Sequence, residues 1–252
     1  MFKKIRILIL LCILLIVAVN SIRDKSHDWK KPVYVAIYPI NIDNSPVVDN
    51  YIKTLSNDDF KEIDDYLNAE SKKYGKTANI YYRLGATVSE LPPVVPRNGG
   101  IMDAMIWSLK FRYYAYKNGS DVGVPTNLRL FLQFHNPDKK IITETSTALQ
   151  NGRIGVVNLF GMTQKTANNN VVIAHETLHA FGASDKYDVS NGIPIYPQGY
   201  ANPNQNPLHP QKQAELMAMH IPTTQTQFEM ARELKQTVIG EMTAQEIGWV
   251  EK

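Results

Sequence analysis

The stretch HETLHAFGASD, residues 175–185, constrains the fold of this chain more than any other segment. His175 and His179 are four residues apart, so on a helix both imidazoles project from one side and can bind one metal ion. Glu176 lies further round the same side, where it can hydrogen-bond a water molecule at that ion. Gly182 allows the helix to end in a left-handed conformation, and the chain can then bring Asp185 back as a third ligand. The segment therefore predicts a helix, a sharp bend and a metal site.

Chance is a poor explanation for this combination of residues. With average amino-acid frequencies, HExxH arises in roughly one chain in a hundred of this size, and the added glycine and aspartate lower that to about one in tens of thousands. The motif also follows the apolar residues 171–173, VVI. Two histidines and a glutamate are costly to bury there without partners, and a metal ion removes that cost.

The motif resembles the extended zinc signature HExxHxxGxxH/D of the metzincin metallopeptidases, in the aspartate form of the snapalysin-like branch. Residues 214–222, AELMAMHIP, resemble the methionine-bearing turn of that clan, with Met217 as the first candidate methionine and Met219 as the second. The resemblance is tight over about eleven residues and loose from Pro32 to Trp249. It implies a Zn²⁺ cofactor, with Met217 and Gly182 as structural support.

Other residues compete for the third ligand position. Asp188 has an offset that breaks the match, and Glu215 would leave the glycine after the motif without a role. His209 and His220 stand among polar residues, a pattern more typical of the surface than of a ligand. Asp185 is therefore the predicted third ligand, beside His175 and His179.

These residues predict a zinc-dependent endopeptidase in which Glu176 is the general base. Its substrate would be an extended peptide or protein bound along an edge strand, for which segment 153–161 is the candidate. Tyr187, Tyr196 and Tyr200 are candidates for a hydroxyl that stabilises the oxyanion. Two alternatives stay open: a zinc amidase or deacylase that acts on cell-wall or small-molecule amides, and a non-catalytic binding protein on a metallopeptidase scaffold.

The N-terminus predicts export. MFKKIR precedes the uncharged apolar run at residues 7–19, a pattern typical of a signal peptide or a membrane anchor. No clean cleavage site follows, so an uncleaved anchor that places the body outside the cytoplasm is slightly favoured over secretion. Cys12, inside the run, is the only cysteine, which excludes a disulfide, a thiol nucleophile and a thiolate zinc site in the exported part. The net charge is +3, and much of it flanks the run, which excludes a nucleic-acid binder.

The fold class predicted for the body is α+β: a metzincin-like, two-lobed zincin with a mixed sheet and an irregular C-terminal lobe ending in helices. We expect a monomer. The expected division is a signal or anchor with linker at 1–31 and a peptidase domain at 32–252, with lobes at about 32–182 and 183–252. Apolar periodicity predicts strands over 31–41, 78–85, 127–137 and 153–161, and helices over 56–75, 101–119, 166–182, 228–240 and 243–249. The aromatic residues of the second helix (Trp107, Phe111, Tyr113, Tyr114 and Tyr116) are predicted core residues.

Overall fold

A computed structural model describes residues 27–96, 99–139 and 146–251, together with Arg6 and Leu11. The fold is mixed α+β, as predicted, with helices on both faces of a five-stranded sheet. The strands of this sheet are β1 (Val33–Asn41), β2 (Ile80–Leu84), β3 (Leu128–His135), β4 (Thr147–Leu149) and β5 (Ile154–Phe160). Their order across the sheet is β2-β1-β3-β5-β4.

The helices confirm three predicted segments and add one. The described ranges contain α1 (Pro46–Thr54), α2 (Lys61–Lys73), α3 (Ile101–Asn118), α4 (Thr166–Ala180) and α5 (Glu241–Glu246). A 3₁₀ turn leads into α2, and a capping box stabilises its start, in which the Ser56 N–H donates to Asp59 Oδ2 at 2.8 Å. Helix α1 was not predicted. It buries only Val48 and Ile52, which is too short an apolar pattern to stand out in the sequence.

The prediction that segment 153–161 forms an edge strand is wrong. Strand β5 pairs in parallel with β3 on one side and antiparallel with β4 on the other. Residues 154–159 are all buried, and a strand this apolar is stable when neighbours cover both of its sides. The edge next to β5 is therefore the three-residue, partly buried β4.

Side chains that alternate along the central strands build two cores. Val35 and Ile37 of β1 face the larger core, which they share with α2 and α4. Ala36 and Tyr38 face a second core beneath α3. The metal-binding motif on α4 and the helix α3 therefore lie on opposite faces of the sheet.

The aromatic residues of α3 divide between these environments. Trp107, Phe111 and Tyr114 are buried in the second core, as predicted. Tyr113 and Tyr116 are 68% and 84% exposed, so the prediction that they are core residues is wrong. One helix packed on a sheet buries one stripe of its surface, and these two tyrosines lie outside that stripe.

The C-terminal region ends in one short helix rather than the two predicted. Four short strands precede it: β6 (Ala214–Glu215), β7 (His220–Pro222), β8 (Phe228–Met230) and β9 (Thr237–Val238). Segment 228–240, predicted as a helix, supplies β8, which pairs with β7, and β9, which pairs with β6. These tertiary pairings outweigh the local helical pattern. Helix α5 begins after Gly240, a few residues before the predicted start at 243, so Thr243 lies inside the helix.

Within the described ranges, no helix combines the length and apolarity needed to cross a membrane. The apolar run at residues 7–19 lies outside these ranges except for Leu11, so its function as a signal or an anchor stays a prediction.

Candidate metal centre

Helix α4 presents both motif histidines from one side, as the four-residue spacing predicts. The ring centroids of His175 and His179 are 4.5 Å apart, with the ring planes nearly perpendicular at 87°. His175 is only 3% exposed, whereas His179 retains partial exposure toward solvent. The pair therefore lies at the edge of the core, with the His179 ring partly accessible to solvent.

Three ligand atoms converge at this point. The Nε2 atoms of His175 and His179 lie 2.9 Å apart. Asp185 Oδ1 is 3.3 Å from the first nitrogen and 3.1 Å from the second. The structure therefore brings the predicted third residue to both histidines.

The remaining ring nitrogens define which atoms are free to bind an ion. His175 Nδ1 lies 3.2 Å from the Leu216 carbonyl oxygen, and His179 Nδ1 lies 2.8 Å from the Ala183 carbonyl oxygen. A carbonyl oxygen only accepts, so each Nδ1 carries a hydrogen, and when a ring is neutral its lone pair is on Nε2. Two lone pairs that face each other at 2.9 Å repel unless a cation lies between them. This arrangement fits a metal ion, because carbonyl groups fix metal-binding histidines in the same way.

When no metal ion is bound, a proton on one of the two Nε2 atoms removes the same repulsion between their lone pairs. Burial lowers the pKa of His179, but the Asp185 hydrogen bond and the charges of Glu176 and Asp185 outweigh it and raise the pKa overall. Burial of Asp185 acts to raise its pKa, yet its hydrogen bonds to both histidines hold the pKa well below the usual range. The carboxylate thus stays ionised and stabilises positive charge at the Nε2 atoms.

Glu176 completes the cluster. Its ligand oxygen and the ligand nitrogens of His175 and His179 all lie within 4.8 Å of one another, so these three side chains can hold a metal ion. The side chain is 5% exposed, and among the described residues its Oε2 has no hydrogen-bond partner. Burial raises the pKa of Glu176, while the neighbouring histidines act to lower it. A buried carboxylate oxygen without a partner is costly unless a water molecule or an ion binds it.

The bend after α4 carries the aspartate to the histidines. The helix ends at Ala180, and Gly182 has a φ of +105°, which a residue with a Cβ rarely adopts. The Ala183 N–H donates back to the Leu178 carbonyl oxygen at 3.0 Å, which closes the turn. Asp185 then follows on the side of the histidines.

An ion-pair clamp fixes this bend to α5. Glu246 accepts hydrogen bonds from the Ser184 N–H at 2.9 Å and from the Ser184 hydroxyl at 2.7 Å. Lys186, only 4% exposed, places its Nζ 2.6 Å from Glu246 Oε2. Nothing in the local sequence indicates the clamp, because its partners are about 60 residues apart.

The turn at residues 215–219 packs directly under the histidines. The Leu216 carbonyl oxygen is the acceptor for His175, and Met217 is fully buried in the larger core. Glu215, the competing third ligand, accepts hydrogen bonds from the Met217 N–H at 2.6 Å, the Gly240 N–H at 3.0 Å and the Thr243 hydroxyl at 2.8 Å. Its carboxylate is therefore engaged in holding the turn.

The other competing residues also have partners elsewhere. Asp188 accepts hydrogen bonds from the Ser190 backbone and hydroxyl. His209 pairs with the Tyr200 hydroxyl at 3.1 Å. His220 packs its ring against an aromatic side chain, and burial lowers its pKa. Both histidines are partly buried.

Of the three candidate tyrosines, Tyr187 lies in the electrostatic field of the cluster. Burial raises the pKa of its hydroxyl, and the charges of Asp185 and Glu176 raise it further. The hydroxyls of Tyr196 and Tyr200 are hydrogen-bonded to other parts of the same loop.

No family model and no curated protein sequence matches the chain. Among solved structures, 86% of this chain aligns with 34% of a chain in "Structure of a chaperone-substrate complex", with 10% sequence identity and a TM-score of 0.40. The chain thus spans about a third of the length of that protein, and a likeness this weak carries no argument about function. The function of the site must therefore be inferred from the geometry of its own residues.

Proposed function

We propose that this chain is a zinc-dependent endopeptidase, similar to the metzincins, that hydrolyses peptides or proteins outside the cytoplasm. The observation that carries the proposal is the meeting of the two imidazole Nε2 atoms and a carboxylate oxygen within 3.3 Å of one another. A buried glutamate with an unpaired oxygen lies beside them. Metal ligands together with an adjacent carboxylate base are the parts that a metallopeptidase requires.

His175, His179 and Asp185 form the proposed ligand set, because their three atoms already converge. Two neutral nitrogens and one carboxylate suit Zn²⁺, which binds His and Asp in tetrahedral sites with one position open. A bound Zn²⁺ supplies Lewis acidity to the scissile carbonyl and lowers the pKa of a water molecule to about 7.

Glu176 is the proposed general base. Its unpaired Oε2 accepts the proton of the water that attacks the carbonyl carbon, and returns that proton to the leaving amine nitrogen as the C–N bond breaks. Tyr187 is the proposed hydroxyl donor to the carbonyl oxygen, because it follows Asp185 by two residues and the hydroxyls of Tyr196 and Tyr200 are hydrogen-bonded elsewhere.

The accessibility of the cluster favours a polymeric substrate. The side chains of His179 and Asp185 are 20% and 32% exposed, so the ligands reach the surface. Within the described ranges, the short edge strand β4 pairs with β5 alone, and β5 contacts α4. An extended peptide can add to the free side of β4 by backbone hydrogen bonds.

The test combines metal analysis with a peptide-library digest of three proteins: the unaltered chain, Glu176→Gln and the control Glu229→Gln on exposed strand β8. We expect about one zinc per chain in all three. Internal peptide bonds should be cleaved by the unaltered chain and the control, and at least about a thousandfold more slowly by Glu176→Gln. Chelation should abolish cleavage, and added Zn²⁺ should restore it.

Other outcomes assign the site differently. Loss of zinc from Glu176→Gln, with zinc retained in Asp185→Asn, would make Glu176 a ligand and contradict its role as the base. Hydrolysis of acylated amides without cleavage of peptides would support the amidase alternative. Equal inertness of the unaltered chain and Glu176→Gln on both substrate classes would support a binding scaffold.

A further inference from the structure

Helix α3 presents an apolar face to solvent. Its opposite side, with Trp107 and Phe111, is buried against the sheet. The α3 face consists of residues that are each more than half exposed: Ile101, Met102, Met105, Leu109, Tyr113 and Tyr116. From Met102 to Tyr116 it is a stripe about 21 Å long at a rise of about 1.5 Å per residue. A continuous exposed apolar surface of this size marks an interaction site.

The N-terminal part of the chain enters the fold between this helix and the end of α4, where the ring centroid of His27 lies 5.2 Å from that of Phe181. His27 Nδ1 lies 2.9 Å from Arg153 Nη1. The neighbouring residue, Gly152, lies directly against the Arg112 guanidinium of α3. Only residues 20–26 separate His27 from the apolar run at 7–19, and seven residues reach at most about 25 Å. A bilayer that holds the run is therefore within reach of the α3 face.

The chemistry of the helix suits a lipid surface. Lys110, Arg112 and Lys117 are its basic residues, and Asp103 is its one acidic residue. Lys117 is ion-paired with Glu90 at 2.8 Å, and the positive charge that remains on the helix is small. Cationic side chains beside an apolar stripe attract anionic headgroups while the stripe enters the boundary with the acyl chains. Tyrosines, as at the C-terminal end of the face, are enriched at that boundary.

We propose that the α3 face lies on the surface of a lipid bilayer that also holds the N-terminal apolar run. This contact orients the body, because α3 and α4 pack on opposite faces of the sheet. The metal centre then points away from the lipid, toward peptides in the surrounding solution. The proposal requires a retained N-terminus and is independent of the reaction catalysed.

The test uses the full chain in phospholipid nanodiscs with anionic lipid and one copy per disc, with residues 1–26 verified by intact mass. In a Cys12→Ser background, an environment-sensitive fluorophore is attached to Leu109→Cys on the α3 face. The matched control is Lys72→Cys, an exposed position on α2 at the opposite face of the sheet. A quencher attached to the lipid chains should lower the emission at position 109 by about twofold or more, and leave position 72 unchanged.

Two results would overturn the proposal. Emission at position 109 that is as water-like as that at position 72 would show that the face stays in solvent. A blue-shifted emission that the lipid quencher does not reach would show that protein covers the face, and one copy per disc limits that protein to this chain itself. Met105→Cys repeats the measurement at a second exposed position, so that a local disturbance at 109 cannot decide the outcome.

Discussion

Glu215→Ala tests whether a buried carboxylate outside the proposed ligand set supports the geometry of the candidate metal centre. Glu215 is fully buried and accepts hydrogen bonds from two backbone N–H groups, those of Met217 and Gly240. The same turn supplies the Leu216 carbonyl oxygen that orients His175. Truncation should therefore lower both the free energy of unfolding and the affinity for metal.

The expected magnitude follows from the groups left without partners. Each buried N–H that loses its acceptor costs about 1–3 kcal/mol, so the two backbone groups lose about 2–6 kcal/mol together. Part of this is offset, because burial raises the pKa of Glu215, and truncation removes a carboxylate whose charged form is costly to bury. A net loss of about 2–4 kcal/mol should lower Tm by about 4–16 °C in a domain of this size. Loss of the support behind His175 should weaken metal binding by about tenfold or more.

The assay is thermal and urea unfolding together with a zinc titration against a competing chelator. Glu229→Ala is the control, because it removes a carboxylate at an exposed position of the same region. The reasoning is refuted if both variants lie within about 0.5 kcal/mol of the unaltered chain. It is also refuted if Glu215→Ala loses stability but binds zinc as tightly as the control.

Two further predictions concern Gly182, at the bend after α4, and Asp64, in the first turn of α2. Gly182→Ala should cost about 1–3 kcal/mol and weaken zinc binding, since φ is +105° and the new Cβ would contact the Gln150 amide; unchanged unfolding and zinc titrations would contradict this. Burial raises the pKa of Asp64 to about 6, against the hydrogen bond from the Tyr82 N–H. The neutral form stabilises the fold below about pH 4, and this contribution is lost as the pH rises through 6. Asp64→Asn should therefore be more stable than the unaltered chain by about 1 kcal/mol at pH 8, after allowance for solvent screening, and no more stable at pH 4. Urea unfolding at both pH values checks this, with Asp65→Asn as control, and an equal gain at both would refute it.

Local periodicity predicted those parts of the fold whose stability is local. The long strands β1, β3 and β5 and the helices α2, α3 and α4 all carry apolar patterns that match their own geometry. The errors lie where partners distant in sequence decide the structure. Strand β8 follows from pairing with β7, and β5 is covered by β4, which no periodic pattern marks.

The candidate metal centre also combines features set by local sequence with features set by residues distant in sequence. The spacing within residues 175–185 was sufficient to predict the convergence of the two histidines and Asp185, because a helix turn and one glycine bend determine it. The groups that hold this geometry are remote: the turn at 215–219 orients His175, and Glu246 clamps the bend through Ser184 and Lys186. One remote group is the backbone carbonyl of Leu216 and the other is the single carboxylate of Glu246, and neither has a distinctive pattern in sequence. Helix α5 therefore helps to hold the candidate metal centre through Glu246, although Glu246 is not one of the proposed ligands.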